Sequence, residues 1–367
     1  MQKKILIVDD SALMRSVISD IIKSDERLAV GGVARDGLDA LEHVHRNGDY
    51  DAVLLDINMP KMNGLDVLEQ LKKERYRPPI IMVSTLTKEG AAETIKALEL
   101  GAFEFVTKPG SFAQTRSSDF KCDLLSKLEA ALRLTPKNKP NLSGQGTPLQ
   151  ESKNSEPTIK MPEIITPKRR GGPTNGRTLI ALACSTGGPK ALQAVMPMLP
   201  EKLNAAMLIV QHMPEGFTLS LVNRLNEMSR VDIKEAEDGD ILKKDQVYLA
   251  KGGFQMKFNE AATGNYLSLT KDPPRGGLRP CADIMYESLV NSSYDKIVCV
   301  VLTGMGADGT SGIRQLKATN NVYVIAQDEP TCVVYGMPRA VADAGLVDEV
   351  LPLDQIAGAI ARATGVR

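Results

Sequence analysis

Short apolar runs alternate with helical stripes along the first third of the chain. "KILIV" at 4–8, "DAVLLD" at 51–56, "PIIMVS" at 79–84 and "AFEFVT" at 102–107 read as short buried strands. Between and after them the spacing changes from two to 3.6. Met14, Val17, Ile18, Ile21 and Ile22 form a 3-4-7-8 stripe behind Ser11, a good helix N-cap. "LDVLEQLKK", "KEGAAETIKALEL" and "DFKCDLLSKLEAALRL" continue as helices. Such alternation predicts a doubly wound α/β fold, a parallel sheet covered by helices on both faces. The pattern restarts at 178. "TLIALAC" leads to a helix at about 189–198, "AAMLIVQ" to one at about 217–228, "KIVCVVLTG" to one after Gly309, and "VYVIAQ" to one near Met337. "VYLAKGG", "FQMKFNE" and "NYLSLT" read as short strands of a meander or hairpin. The expectation is a second doubly wound, mainly parallel α/β unit with an antiparallel insertion.

One segment fits neither pattern. Residues 136–176 hold seven prolines, five glycines and no aromatic, too little apolar surface to offset the entropy of ordering. They predict a flexible linker between a domain at 1–135 and a domain at 177–367. A coil of that length spans ~35 Å end to end, enough to let two domains dock and separate. The linker also carries the excess positive charge, including Lys168–Arg170, and both halves are slightly acidic. With zero formal net charge overall, the chain is not a dedicated nucleic-acid binder. No signal-peptide pattern and no run of the roughly 20 apolar residues that span a bilayer is present, so a cytoplasmic protein without membrane insertion is expected. The five cysteines show no CxxC spacing; Cys184 and Cys299 lie in apolar runs, as buried reduced thiols do.

Candidate chemistry gathers at the strand ends. Asp9 and Asp10 end the first strand and Asp56 the third. In a doubly wound sheet these ends meet at one edge. Carboxylates so close repel unless a hard cation neutralises them, and Mg2+, which takes oxygen ligands, fits. Ser84 and Lys108 end the fourth and fifth strands, bringing a hydroxyl and an ammonium to the same place. Together these groups make a phosphoryl-acceptor site. In the second half, "GMGADG" at 304–309 is literally G-x-G-x-x-G, with Asp328 and Glu329 near the distance of a ribose-binding acid. Asp308 inside that motif would repel a bound pyrophosphate. It would instead serve an imidazole. His212, the only histidine after the linker, stands just past "AAMLIVQ", and Ser185 stands just past "TLIALAC" at a strand-to-helix turn. Singly, Ser185 reads as a helix cap and His212 as a loop histidine. Three strands delivering a serine, a histidine and an aspartate to one edge make a constellation for acyl transfer. The order Ser, His, Asp and the sequence "ACSTG" disfavour a standard α/β hydrolase, which has G-x-S-x-G and a different order.

"ILIVDDSALMR", "LLDINMPKMNGLDVL", "IIMVSTLT" and "FVTKPG" closely resemble response-regulator receiver domains of flavodoxin-like fold. The resemblance implies Asp56 as phospho-acceptor, Asp10, Asp56 and the Asn58 carbonyl as Mg2+ ligands, and Asp9 as their acidic neighbour. It implies that Ser84 and Lys108 contact the phosphoryl group, that Lys108–Pro109 is cis, and that Phe105 is a switching aromatic. "ACSTGGPKAL", "VQHMPEGFTLSL", "RPCADIMYESL" and "VVLTGMGADG" closely resemble the catalytic domain of chemotaxis protein-glutamate methylesterases. This implies Ser185 as nucleophile, His212 as general base and Asp308 as its orienting partner, with Thr186 and Met305 in the oxyanion and substrate environment and no cofactor in that domain. The implied substrates are glutamate γ-methyl esters, and certain glutamines, on methyl-accepting chemoreceptors. The implied phosphodonor is the chemotaxis histidine kinase. The competing readings are a dinucleotide-dependent oxidoreductase, which NADH binding would reveal, and a non-enzymatic response regulator binding DNA or protein, for which salt-dependent DNA binding would speak.

Overall fold

The structure is a computed structural model that describes residues 1–110, 118–134, 177–262 and 264–366. The expected linker at 136–176, Lys168–Arg170 included, lies outside the described residues. The first unit is a five-stranded parallel sheet in the order β2-β1-β3-β4-β5. Its strands are β1 Lys3–Val8, β2 Leu28–Ala34, β3 Ala52–Asp56, β4 Ile80–Ser84 and β5 Glu104–Thr107. Helices α1 Ala12–Lys23, α2 Gly37–Asn47, α3 Gly64–Lys73, α4 Lys88–Leu100 and α5 Ser118–Ala131 cover it. Four of them start at side-chain caps, Ser11, Asp36, Asn63 and Thr87, each accepting from the backbone N–H three residues on. Strand periodicity splits the core. Ile5, Ile7, Leu54, Ile81 and Val106 meet Ile18, Ile22, Leu124 and Leu128 on one face. Leu6, Val8, Leu55, Met82 and Phe105 meet Val67, Leu71 and Ile95 on the other.

The second unit is a seven-stranded, wholly parallel sheet in the order β14-β13-β12-β6-β7-β9-β8, with β10 and β11 as a separate antiparallel pair. The strands are β6 Thr178–Cys184, β7 Ala205–Gln211, β8 Asp232–Glu235, β9 Gln246–Leu249, β10 Gln255–Ala261, β11 Gly264–Thr270, β12 Lys296–Val301, β13 Val322–Gln327 and β14 Glu349–Leu351. The helices are α6 Gly188–Val195, α7 Phe217–Met228, α8 Ala282–Ser288, α9 Thr310–Thr319, α10 Met337–Asp343 and α11 Leu353–Ala363. Two features differ from the sequence reading. "VYLAKGG" does not join the hairpin. Its Val247, Tyr248 and Leu249 are buried, and the strand is interior, paired in parallel with β7 and β8. The edge strands β8 and β14 carry too few buried residues to show as apolar runs.

The two units share one apolar cluster. Leu55, Met82, Ile95 and Phe105 of the first continue into Leu192, Phe217 and Leu221 of the second. Phe105 stacks on Phe217 with ring centroids 4.7 Å apart and planes at 21°. Such a pair contributes ~0.5–1.5 kcal/mol beyond its area burial. At the seam's edge Glu99 accepts from Arg224 and, at 3.3 Å, from Gln193.

The turn after β3 depends on a glycine. Gly64 N–H donates to Ile57 O at 2.8 Å, and a Cβ there would lie 2.1 Å from the Asp56 carbonyl oxygen. The contact is with backbone, so no side-chain rotation relieves it. Gly64→Ala is expected to lower the stability of the first unit by ~1–3 kcal/mol, read as an earlier transition in urea. An unchanged midpoint would show that the β3–α3 turn moves freely.

Candidate functional site

Ser185, His212 and Asp308 stand just past β6, β7 and β12, three adjacent central strands of the second sheet. Each of the helices that follow these turns begins at a glycine in the left-handed region: Gly187 (φ 77°), Gly216 (φ 88°) and Gly309 (φ 94°). Gly187 of "STGG", Gly216 of "MPEG" and Gly309 of "GMGADG" are therefore helix-entry residues. Gly187, rather than Ser185, is the cap of α6. Gly304 meets a different demand. A Cβ on it would lie 2.8 Å from Ser185 Cβ, so only glycine lets the β12 loop pass the serine.

His212 Nε2 lies 2.7 Å from Asp308 Oδ2, with both side chains nearly buried. Asp308 also accepts from Ala282 N–H at 2.6 Å, Asp283 N–H at 2.9 Å and the Cys281 thiol at 3.1 Å. Burial pushes its carboxyl up, but the hydrogen bond and charge of His212, with the two backbone donors, win and bring it down to about 2. Asp308 is thus an anion at every working pH. With Nε2 on Asp308, Nδ1 is the ring nitrogen left to exchange a proton. Ser185 Oγ makes no hydrogen bond to the ring here; contacts of this kind often tighten only with substrate bound. Thr186 is buried beside the serine and its carbonyl accepts from Thr303 Oγ1 at 2.9 Å. Met305 is half-buried on the β12 loop next to Gly304.

Some of the residues that hold this edge together were not singled out in the sequence. Gln211 donates its amide to the carbonyls of Ser185 (3.0 Å) and His212 (3.2 Å), tying two of the loops. Gln327 accepts from Thr303 N–H at 2.8 Å and donates to Thr331 O at 2.8 Å. The signal was there: each is a glutamine ending an otherwise apolar strand, and a buried amide must find partners.

At the first sheet's edge, ligand oxygens of Asp9, Asp10 and Asp56 lie within 4.8 Å of one another. Lys108 Nζ sits 2.8 Å from Asp9 Oδ2 and 2.7 Å from Asp56 Oδ2. Among the described residues no other donor reaches either buried oxygen. Two buried carboxylates sharing one ammonium, beside a third carboxylate, fit a hard divalent cation. Burial, opposed by Lys108 and reinforced by Asp9, pushes the Asp56 carboxyl up to about 6. Asn58 is exposed just past Asp56, and its N–H lies 3.4 Å from Asp56 Oδ1. One expectation is corrected. Lys108–Pro109 is not cis, and the lysine reaches both carboxylates from the trans peptide. Ser84, at the end of β4, keeps its hydroxyl in local contacts. It donates to Gly90 O at 3.2 Å and accepts from Thr94 Oγ1 at 2.8 Å, because a fully buried hydroxyl must be satisfied locally.

A phosphoacceptor-type pocket on one sheet and a serine, histidine and aspartate on a second define the class, a receiver joined to a hydrolase. Residues 5–118 match the response regulator receiver domain, and residues 180–360 match the CheB methylesterase family. The protein-glutamate methylesterase/protein-glutamine glutaminase of Halalkalibacterium halodurans is 42% identical over 361 residues, covering 98% of this chain and 97% of that one. That of Pyrococcus horikoshii is 40% identical over 363 residues, covering 99% and 94%. The crystal structure of the Thermotoga maritima CheB methylesterase catalytic domain is 37% identical, with TM-score 0.49, and covers 51% of this chain and 98% of that one. The chain belongs to the protein-glutamate methylesterase/protein-glutamine glutaminase family, enzymes that carry a receiver domain. No helix among the described residues is long and apolar enough to cross a membrane.

Asp308 gives a pH signature. A carboxyl held near 2 stabilises the fold fully above its unfolded value of ~3.9, and this contribution is lost as pH falls toward 2. Asp308→Asn is therefore expected to lower the unfolding midpoint of the second unit at pH 5, with the deficit shrinking toward pH 3. A deficit that stayed constant would mean that the carboxylate's charge is not what the site stabilises.

Proposed function

We propose that the chain is a cytoplasmic, phosphorylation-controlled esterase of chemotactic adaptation. It demethylates glutamate γ-methyl esters on chemoreceptors and deamidates receptor glutamines by one acyl-enzyme mechanism. The observation that carries the mechanism is the 2.7 Å His212–Asp308 contact at the sheet edge that also holds Ser185. Ser185 Oγ attacks the ester carbonyl while His212 Nδ1 takes its proton. Asp308 holds the ring and stabilises the imidazolium. The tetrahedral oxyanion draws on donors around Thr186 and Met305. Collapse expels methanol, or ammonia from a glutamine, protonated by His212. Water then attacks the acyl-enzyme with His212 again as base, freeing the glutamate and Ser185.

In the receiver, Asp56 takes a phosphoryl group from a histidine kinase. Asp10, Asp56 and the Asn58 carbonyl would hold Mg2+, whose charge neutralises the transferring phosphoryl oxygens. Asp9 shapes the acidic pocket and Lys108 pairs with the phosphoryl group. Ser84 would have to leave Gly90 and Thr94 to reach it, and Phe105 lies on the same sheet's last strand. The contact of Glu104 Oε2 with Gly187 N–H at 3.2 Å, two residues past Ser185, supports gating by the docked receiver. Phosphorylation would shift the β4–β5 edge and weaken this seam.

Three measurements test the reading. Ser185→Ala and His212→Ala are each expected to lose several orders of magnitude in methanol release from methylated receptor membranes, with the fold retained. Near-native release by Ser185→Ala would sink the nucleophile assignment. Asp56→Asn and EDTA are each expected to abolish acid-stable, base-labile phosphate labelling; label persisting in Asp56→Asn would move the phosphorylation site. Arg224→Glu sets a like charge against Glu99 without touching the receiver's core. It is expected to raise the activity of the unphosphorylated chain several-fold, a tenfold rise corresponding to ~1.4 kcal/mol of lost docking. No rise would remove docking from the control of activity.

A further inference from the structure

Asp308 accepts four donors, and three of them come from one short stretch. Ala282 N–H and Asp283 N–H open α8, and Cys281 immediately precedes it. Cys281 is buried, and its own N–H is fixed by Gln255 Oε1 at 2.9 Å, so the thiol has little freedom to point elsewhere. Its sulfur lies 3.1 Å from Asp308 Oδ1, the oxygen that does not face His212. Against a carboxylate, which only accepts, a thiol in that position must donate.

We propose that Cys281 is a positioning residue for the esterase reaction: its S–H, donated to Asp308 Oδ1, fixes the carboxylate's rotation and leaves Oδ2 aimed at His212 Nε2. The inference rests on reading Asp308 as the partner of His212. A carboxylate turns easily about its Cβ–Cγ bond, and each directed donor narrows that rotation. The two backbone donors divide between the oxygens, Ala282 N–H on Oδ2 and Asp283 N–H on Oδ1. The thiol makes Oδ1 the doubly held oxygen apart from the histidine. Burial, helped by the neighbouring charge of Asp308, pushes the Cys281 thiol up to about 12, so it remains a donor wherever the enzyme works. The other titratable groups facing Asp308 are His212 from the β7 end, Asp283 in the first turn of α8 and the buried Tyr286 one turn further.

The test compares full-length native, Cys281→Ala, Cys281→Ser and Asp308→Asn chains on methylated receptor membranes, with methanol as readout. Cys281→Ser replaces one donor by another. It is expected to keep kcat within about twofold and to preserve the pH profile. Cys281→Ala removes the donor and is expected to lower kcat about threefold to tenfold with KM unchanged. Its acid limb in kcat/KM should move to higher pH, because a less neutralised Asp308 holds a proton on His212 more tightly. A purely structural cysteine would alter the melting temperature but not the limb. Native kcat and an unmoved limb in Cys281→Ala would overturn the proposal. So would a loss in Cys281→Ser equal to that in Cys281→Ala, which would assign the effect to packing. If Asp308→Asn were itself near-native, the triad reading would fall and this inference with it; if only the Cys281 variants were silent, the inference alone would fall.

Discussion

Burying a carboxylate is expensive unless donors or cations surround it, and three such carboxylates lie at the sites and seam of this molecule. Asp308 is met by an imidazole, two backbone N–H groups and a thiol. Asp56 is met by one ammonium and, at 3.4 Å, by the Asn58 N–H, with a second carboxylate alongside. Glu104 is met by two backbone donors, Phe105 N–H and Gly187 N–H, one from each unit. The degree of satisfaction differs, and so does the consequence. Asp308 is fully satisfied and held low, as a permanent anion. Asp56 is left short of partners and held high, as a group that gains from a cation.

Parallel sheets make this arrangement possible. Every strand of a doubly wound sheet ends at the same edge, so residues far apart in sequence arrive together without long loops. The cost is that polar groups crowd where the chain must also turn sharply into a helix. Left-handed glycines at 187, 216 and 309 meet the turning requirement. Gln211 and Gln327, on β7 and β13, meet the polar one by adding side-chain links between the loops. The positions of Ser185 and His212 are thus set by the sheet and by its backbone hydrogen bonds, Ser185 N–H to Thr303 O and His212 N–H to Cys184 O, with the side-chain amides added to them.

This division explains what was legible in the sequence. Strands buried on both faces and well-capped helices carry their signal locally, and so do the acids, serine and histidine at their ends. Hence the two doubly wound units, the hairpin, and the meeting of His212 with Asp308 could be read in advance. What could not be read depended on partners distant in sequence. "QVYL" looks like any short strand, and only its neighbours β7 and β8 make it part of the main sheet. That the Ser84 hydroxyl is held by Gly90 and Thr94 depends on α4 folding back over the end of β4, which the local sequence does not show. Cys281, one of five cysteines without CxxC spacing, drew no reading of its own until the fold laid it against Asp308.

The seam between the units follows the same physics. Its apolar part, Phe105 on Phe217, favours closure, yet a cavity of about 420 Å3 remains beside it, lined by Tyr76, Phe103, Glu104, Gly187, Pro189 and Lys190. Glu104 is raised from its ordinary value by burial, against the pull of Lys127 and of the two backbone donors. Separation would return this carboxylate to water and recover its hydration, at the expense of the aromatic stack. Closure is thus a balance between an apolar gain and a carboxylate's desolvation, not a fully packed interface. Both groups sit on one strand, β5, which lies next to β4 in the sheet whose edge holds Asp56.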